Sequence, residues 1–347
     1  MAERTGYQPG TPSWIDLGSP DAVASAVFYS ALFGWAAEMD PRPEAGGYGM
    51  FTLAGKNVAG LGPQMNPDMP PFWAVYITVS DADETLAKAS AAGGKVIMGP
   101  MEVFDAGRMG IVQDAVGSFV SIWEPNKHIG AQLVNEAGTF AWNELATSDL
   151  PAARDFYQSV CGWGLQADAS SENGAIFTVD RQVVCGAHVA GEGEFPAWSV
   201  WFAVDDCDAS AARVGGLGGS ILMPPNDMDF GRGAVVADPQ GAVFGIGTMN
   251  AAAQETASRN VGRAGRRGVD PGMVRVISGP RGVRSRPHRV RHDDIDADEA
   301  RQALEGVQQS GNNETEVEEW AYFSGSCSGT CSAPRRATTA SRSSSTR

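Results

Sequence analysis

The feature that most constrains this chain is a repeat. The segment from Trp14 through Leu17 and Asp21 to Phe28-Tyr29 and Gly34-Trp35 recurs 128 residues later. The second copy runs from Trp142 through Leu145 and Asp149 to Phe156-Tyr157 and Gly162-Trp163, and 8 of the 22 aligned positions are identical. The agreement continues with small shifts. Phe51-Thr52 matches Phe177-Thr178, Gly60 matches Gly186, and Trp73, Asp81 and Gly93-Gly94 match Trp198, Asp206 and Gly218-Gly219. Asp105-x-Gly107-Arg108 matches Asp229-x-Gly231-Arg232, and Asp114 and Gly117 match Asp238 and Gly241. A repeat of this length means two copies of one folded unit. It divides the 347 residues into an N-terminal extension 1–11, a module 12–124, a linker 125–139, a second module 140–249 and a tail 250–347.

Each module reads as two similar halves. Trp14 to Leu17 is a short strand; Asp21 then starts a helix with Ala24, Val27, Phe28 and Leu32 on one face, stopping at Gly34. Strands at Tyr48–Leu53 and Val58–Leu61 follow. The second half opens with an aromatic and β-branched strand, Phe72–Val79. Asp81 or Asp83 caps a helix that runs to the Gly93-Gly94 stop. Strands at Lys95–Met98, Met109–Gln113 and Phe119–Trp123 complete it. The fold class expected is α+β, with a βαβββ pattern twice per module and four times per chain.

Charge separates the modules from the tail. Residues 1–250 hold 11 basic and 29 acidic residues, a net of -18; residues 251–347 hold 15 Arg, no Lys and 12 acidic residues, a net of +3. An acidic body argues against nucleic-acid binding by the modules, because phosphate contacts need clustered Lys and Arg. The tail packs ten Arg into residues 259–291, leaving RNA, DNA or an acidic surface open as its partner. Its Ser, Thr, Gly and Arg content predicts a largely disordered segment, and an extension arising by read-through or a frame change explains it as well. No apolar run reaches the roughly 18 residues of a membrane helix, and Met1 to Thr11 lacks a signal-peptide core. The five Cys are odd and sparse, which fits a reducing compartment and a cytoplasmic location.

This order of elements resembles the vicinal oxygen chelate superfamily, which includes glyoxalase I, the bleomycin-resistance proteins and the extradiol dioxygenases. The resemblance rests on strand–x–Asp–helix with Phe-Tyr and Leu-Phe-Gly-Trp, the Trp73 to Asp81 strand, and Asp-Pro-x-Gly at 238–241. Tandem proteins of this kind, often described as hydroxylase or glyoxalase-like, are common in actinobacteria. The resemblance implies that paired βαβββ units wrap an open half-barrel around a divalent metal, which acts as a Lewis acid. It also implies that two modules complete each other's barrels within or between chains, so monomer and homodimer both remain open.

The metal positions implied by that resemblance fall at Trp14 and Trp142, Ala74 and Ser199, and Ser121 and Gly245. None is His, Glu or Asp, whereas zinc, iron or manganese wants at least three converging N or O ligands. No cofactor is therefore expected, with a divalent metal at unusual positions as the alternative. Strand alternation instead puts Asp16 on the face of Trp14, Glu144 on that of Trp142, Tyr76 beside Ala74, Trp201 beside Ser199, and Trp123 beside Ser121. An aromatic concave face with one carboxylate per module suits a planar or apolar molecule bearing a basic or hydroxyl group. Trp14, Tyr76, Ser121, Trp123, Trp142, Ser199 and Trp201 are the substrate-binding candidates. Asp16 and Glu144 are the catalytic candidates, if burial raises their proton affinity. Core packing for the Trp residues, and backbone or indole hydrogen bonds for the carboxylates, are the competing explanations.

Arg108 and Arg232 are expected to clamp their own turns through Asp105 and Asp229, His188 to be structural or exposed, and Cys185 to be core packing. The function expected is binding of a small hydrophobic or aromatic metabolite or antibiotic, for detoxification or sequestration. The alternative is an enzyme of the same superfamily (lyase, isomerase, dioxygenase or hydroxylase-like) with an atypical metal site or a carboxylate base.

Overall fold

The computed structural model describes residues 3–167, 170–228 and 230–249. The tail at 250–347, with Cys327, Cys331 and the Arg cluster, lies outside the described residues, as does Asp229. The first module is β1 (Pro12–Ser19), α1 (Ala22–Phe33), β2 (Ala36–Met39), β3 (Gly49–Leu53), β4 (Lys56–Pro63), β5 (Phe72–Thr78), α2 (Ala82–Ala91), β6 (Lys95–Val103), β7 (Gly107–Gln113) and β8 (Phe119–Pro125). The second repeats it as β9 (Thr139–Thr147), α3 (Leu150–Cys161), β10 (Gly164–Leu165), β11 (Gly174–Val179), β12 (Gln182–Val189), β13 (Ala197–Ala203), α4 (Cys207–Gly216), β14 (Ser220–Met228), β15 (Gly231–Ala237) and β16 (Val243–Met249). Each module forms one eight-stranded sheet, ordered β2-β3-β4-β1-β5-β8-β7-β6 and its equivalent. The βαβββ halves meet where β1 runs antiparallel to β5 and β9 to β13. The short strands β2 and β10 are additions to the sequence reading. They are exposed edge strands without the apolar alternation that reveals an inner strand.

Local chemistry starts all four helices in the same way. Asp21, Asp81, Asp149 and Asp206 each accept the backbone N–H of the third residue on, at 2.8–3.0 Å. Of the two candidate caps for α2, Asp81 is the one used. Gly34 and Gly162 end α1 and α3 in the left-handed region, at φ 75° and 68°.

The repeated Phe-Tyr, Gly-Trp, Trp and Asp residues join the modules. Trp73 Nε1 donates to Tyr29 Oη at 3.0 Å, and Tyr29 donates to Asp238 Oδ2 of the other module at 3.1 Å. The mirror chain runs from Trp198 Nε1 to Tyr157 Oη (2.8 Å) and on to Asp114 Oδ2 (2.9 Å). Each Asp uses Oδ1 to hold its own turn, accepting from Val116 and Ser118 in one case and Gln240 and Ala242 in the other. Trp35 and Trp163 cross over as well, donating to the Gly138 and Gly10 carbonyls at 2.7 and 2.6 Å. Around these bonds α1 packs on α4 and α2 on α3, and Phe33, Trp35 and Trp73 meet Phe202. No helix among the described residues is long and apolar enough to cross a membrane.

Removing the Tyr157 hydroxyl leaves the buried Asp114 Oδ2 and Trp198 Nε1 without this partner. Each such loss costs about 1–3 kcal/mol. Tyr157→Phe, and likewise Tyr29→Phe, should lower unfolding free energy by at least that amount in urea titrations followed by circular dichroism.

Candidate functional site

The faces turned away from the helices carry the candidate site residues. Paired strand positions share a face. In the first module the register aligns Trp14 with Tyr76, Asp16 with Ala74 and with Gly60, and Tyr76 with Ser121. It then aligns Trp123 with Met109, Ile111 with Ser121 and Met98, Met101 with Met109, and Met50 with Gly60. One concave face therefore holds an aromatic group around Asp16 and four half-buried methionines: Met50, Met98, Met101 and Met109. This wall is not legible in the sequence, because the methionines lie on three strands, β3, β6 and β7, and converge only through the register.

Asp16 lies on the central strand β1 of this face and is half-buried. Its Oδ2 accepts from Tyr76 Oη at 2.8 Å and, more loosely, from Tyr48 Oη at 3.5 Å. Trp14 Nε1 donates to Tyr48 Oη at 3.2 Å. Burial pushes Asp16 up to about 6, against the pull of its two Tyr hydrogen bonds. Burial and the Asp16 charge push both phenols well above the usual range, so they remain donors. Trp14 (3% exposed), Trp123 (5%), Tyr76 (8%) and Ser121 (4%) are packed side chains as well as walls of the cup. The linker closes one end: the His128 ring stands edge-on to Trp14 with centroids 4.4 Å apart, and its carbonyl accepts from Trp123 Nε1. Burial holds His128 down at about 4, so the ring is neutral at pH 7.

The second cup keeps the plan and changes the chemistry. Trp142 shares a face with Trp201, and Glu144 with Ser199 and Gly186. All four of these side chains are half-buried. Trp142 Nε1 donates to Glu144 Oε2 at 2.6 Å, whereas Glu144 Oε1 lies 3.3 Å from His188 Nδ1. His188 Nε2 lies 3.0 Å from Glu194 Oε1. The hydrogen bond to Glu144, with help from Glu194 and against partial burial, raises His188 to about 9. Trp201 lies flat over Gly245, where any Cβ would strike its indole, and Phe230 stands edge-on to it at 5.5 Å.

The repeat shows how the cups diverged. Tyr48, just before β3, lies over Gly62, where a Cβ would meet its ring at 3.1 Å. In the second module Gly174 pairs with His188. The bulky partner has moved to the opposite strand, and its acid partner has changed from Asp16 to Glu144. His188, expected to be structural or exposed, is half-buried and paired with the site carboxylate Glu144 and with Glu194. Aligning Tyr48 and Gly62 with Gly174 and His188 was the signal available in the sequence.

The expected Arg108 turn clamp is not formed. Arg108 does not clamp Asp105: it pairs with Asp83 at 2.9 Å, Glu102 at 3.1 Å and Glu124 at 3.3 Å, while Asp105 takes Lys127. The antiparallel pairing of β7 with β6 and β8 sets Arg108 directly opposite Glu102 and Glu124, which decides the choice. Arg232 pairs with Asp208 and Asp227, and its expected partner Asp229 lies outside the described residues. Cys185 is wholly buried, and burial pushes its thiol well above the usual range, so it packs as expected.

The donor set does not suit a divalent metal. The implied positions present two indoles, a methyl, two hydroxyls and a glycine. Nearby, Asp16 is bound by two phenols, and Glu144 by an indole and an imidazole. Among the described residues no group of three His, Cys, Asp or Glu is placed to hold an ion.

Paired βαβββ sheets in tandem, each with a concave face around one carboxylate, define a two-module glyoxalase-like protein. The chain belongs to the Glyoxalase/Bleomycin resistance protein/Dioxygenase superfamily, which it matches over residues 11–122 and 139–246. It is 41% identical over 255 residues to the Mycobacterium tuberculosis protein named "Putative glyoxylase CFP32", covering 71% of this chain and 97% of that one. It is 39% identical over 264 residues to "Anthracycline biosynthesis protein DnrV" of Streptomyces peucetius, covering 70% and 94%. Its fold is that of the Mn(II)-bound glyoxalase from Novosphingobium aromaticivorans, with TM-score 0.51, 15% identity and coverage of 70% and 82%. The 2,3-dioxygenase LapB from Pseudomonas sp. KL28 gives TM-score 0.50, 12% identity and coverage of 69% and 91%.

The Asp16 pKa has a stability consequence. The folded carboxyl holds its proton up to about 6 and the reference group only to 3.8, so this favourable term is complete below about pH 4. It is lost as pH rises through 6. Asp16→Asn keeps an acceptor without the charge and should be more stable than the parent at pH 7 by roughly 1–3 kcal/mol. The difference should vanish below about pH 4 in denaturation curves taken across that range.

Proposed function

We propose that the protein binds a small aromatic or apolar metabolite or antibiotic in the cup of its first module, without the metal of its superfamily, and works by sequestration or detoxification. The observation that carries this reading is the convergence of Trp14, Tyr76, Trp123 and four methionines around Asp16. Aromatic faces offer stacking area. Methionines adapt to irregular apolar outlines. Asp16 supplies a single polar anchor that accepts a hydroxyl or basic proton when ionised. The indole, methyl and hydroxyl at the metal positions support a metal-independent mode. The relative named for anthracycline biosynthesis is in keeping with a fused-ring ligand.

A second reading rests on the Asp16 pKa of about 6, which suits proton transfer near neutral pH. Asp16 would then take a proton from a bound hydroxyl or an acidic C–H, with Tyr76 and Tyr48 stabilising the carboxylate. Asp16→Asn separates the two, because loss of turnover with retained binding supports catalysis and loss of binding alone supports the anchor.

The test of the main reading is calorimetry with 2-naphthol at pH 7.5, with elemental analysis and native mass spectrometry of the purified protein. Trp123→Ala and Asp16→Ala should each weaken binding by about tenfold or more, on the scale of a lost ring contact or charged hydrogen bond. A stoichiometric metal whose removal abolishes binding or turnover overturns the proposal.

A further inference from the structure

The second cup contains a charged group that the first lacks, and one of its parts lies outside the sheet. Glu144 is fixed on β9, with Oε2 taken by the Trp142 indole and Oε1 by His188 Nδ1. Glu194, which holds His188 Nε2, belongs to the turn between β12 and β13. That turn, 190–196, contains Gly191 and Gly193, the latter at φ 82°, and carries Phe195, which is 86% exposed. Glu194 is itself 44% exposed, and its other oxygen accepts only the Gly191 N–H of the same turn. Ion pairs exposed to this extent are worth about 0–1 kcal/mol. His188 therefore has one fixed carboxylate and one weakly held, and the weakly held one reaches it from the solvent side.

We propose that the second cup is a separate binding site for an aromatic ligand carrying a carboxylate, with His188 as its anchor and Glu194 as the internal group the ligand displaces. The ligand carboxylate takes the place of Glu194 Oε1 at His188 Nε2, and the ring lies among Trp142, Trp201 and Phe230. The exchange leaves the charge count around His188 unchanged, because one carboxylate replaces another. It therefore needs no new cation in an acidic module. His188 is an imidazolium between two acids, so it donates from both nitrogens; Glu144 orients the ring through Nδ1 and leaves Nε2 for the ligand. The first cup has no equivalent. Its carboxylate faces two phenols, its histidine is neutral, and its Gly62 occupies the place of His188. One chain thus carries two cups of different preference, one for aromatics bearing a hydroxyl or basic group and one for anionic aromatics.

The probe is 2-naphthoate at pH 7.5, with 2-naphthalenemethanol as its uncharged counterpart, titrated into the full chain by calorimetry. In parallel, 15N resonances of the His188 imidazole are followed by NMR. Saturable 2-naphthoate binding is expected, at least fivefold tighter in Glu194→Gln, where the competing charge is gone and the exposed turn is otherwise intact. His188→Gln should weaken it by tenfold or more with an unchanged near-ultraviolet circular dichroism spectrum. The His188 resonances should shift with the carboxylate and not with the alcohol. The proposal is overturned if Glu194→Gln gives no tightening, if the alcohol binds as well as the acid, or if the His188 signals stay still at saturation. These readouts belong to the second cup alone, so their failure is distinct from a failure of 2-naphthol to bind the first.

Discussion

The structure depends on two crossed hydrogen-bond chains, Trp73–Tyr29–Asp238 and Trp198–Tyr157–Asp114. In each, a Tyr on the first helix of one module reaches the last turn of the other and satisfies a carboxylate that already holds that turn. Both Asp side chains are buried, and burial raises their proton affinity. A buried carboxylate without such a donor is costly. The modules consequently stabilise each other at the points where each closes its own sheet, and the repeated motif residues are best understood as the matching halves of this joint.

Because the helices and the conserved-in-repeat aromatics are committed to the joint, the opposite faces of the sheets are released from holding the molecule together. The copies differ at several positions on those faces. Tyr48 with Gly62 becomes Gly174 with His188, Tyr76 becomes Trp201, and Ser121 becomes Gly245. Each cup still carries one acid two residues along the strand from a Trp. The acid's partners decide its electrostatics: two phenols leave Asp16 a lone carboxyl of raised pKa, and an indole with an imidazole leaves Glu144 in an ion pair. Duplication kept the scaffold constant while the two cups took on different chemistry.

Most of the scaffold was legible because it is written in local signals. An Asp before each helix, a glycine after α1 and α3, and apolar alternation in β1 and β5 carry their meaning within a few residues. The edge strands β2 and β10 were not legible, since edge strands need no apolar pattern. Asp16 and Glu144 follow by alternation from Trp14 and Trp142; Glu144 bonds its Trp directly, and Asp16 shares the Tyr48 hydroxyl with Trp14. The methionine wall, the Arg108 partners and the Glu144–His188–Glu194 chain escaped the sequence reading. Each depends on which strands become neighbours, and β5 meets β8 only after 40 intervening residues.

By itself the sequence determined the duplication, the family, the four capped helices, the acidic character of the modules and the absence of ligating side chains at the implied metal positions. These follow from residue identity and short-range periodicity. Tertiary structure alone decided that the repeated Tyr, Trp and Asp residues bind module to module. It also decided that burial pushes Asp16 up to about 6 while the Glu144 hydrogen bond raises His188 to about 9. A pKa is set by burial and by the charges brought within a few ångströms, and those distances exist only once the strands have paired.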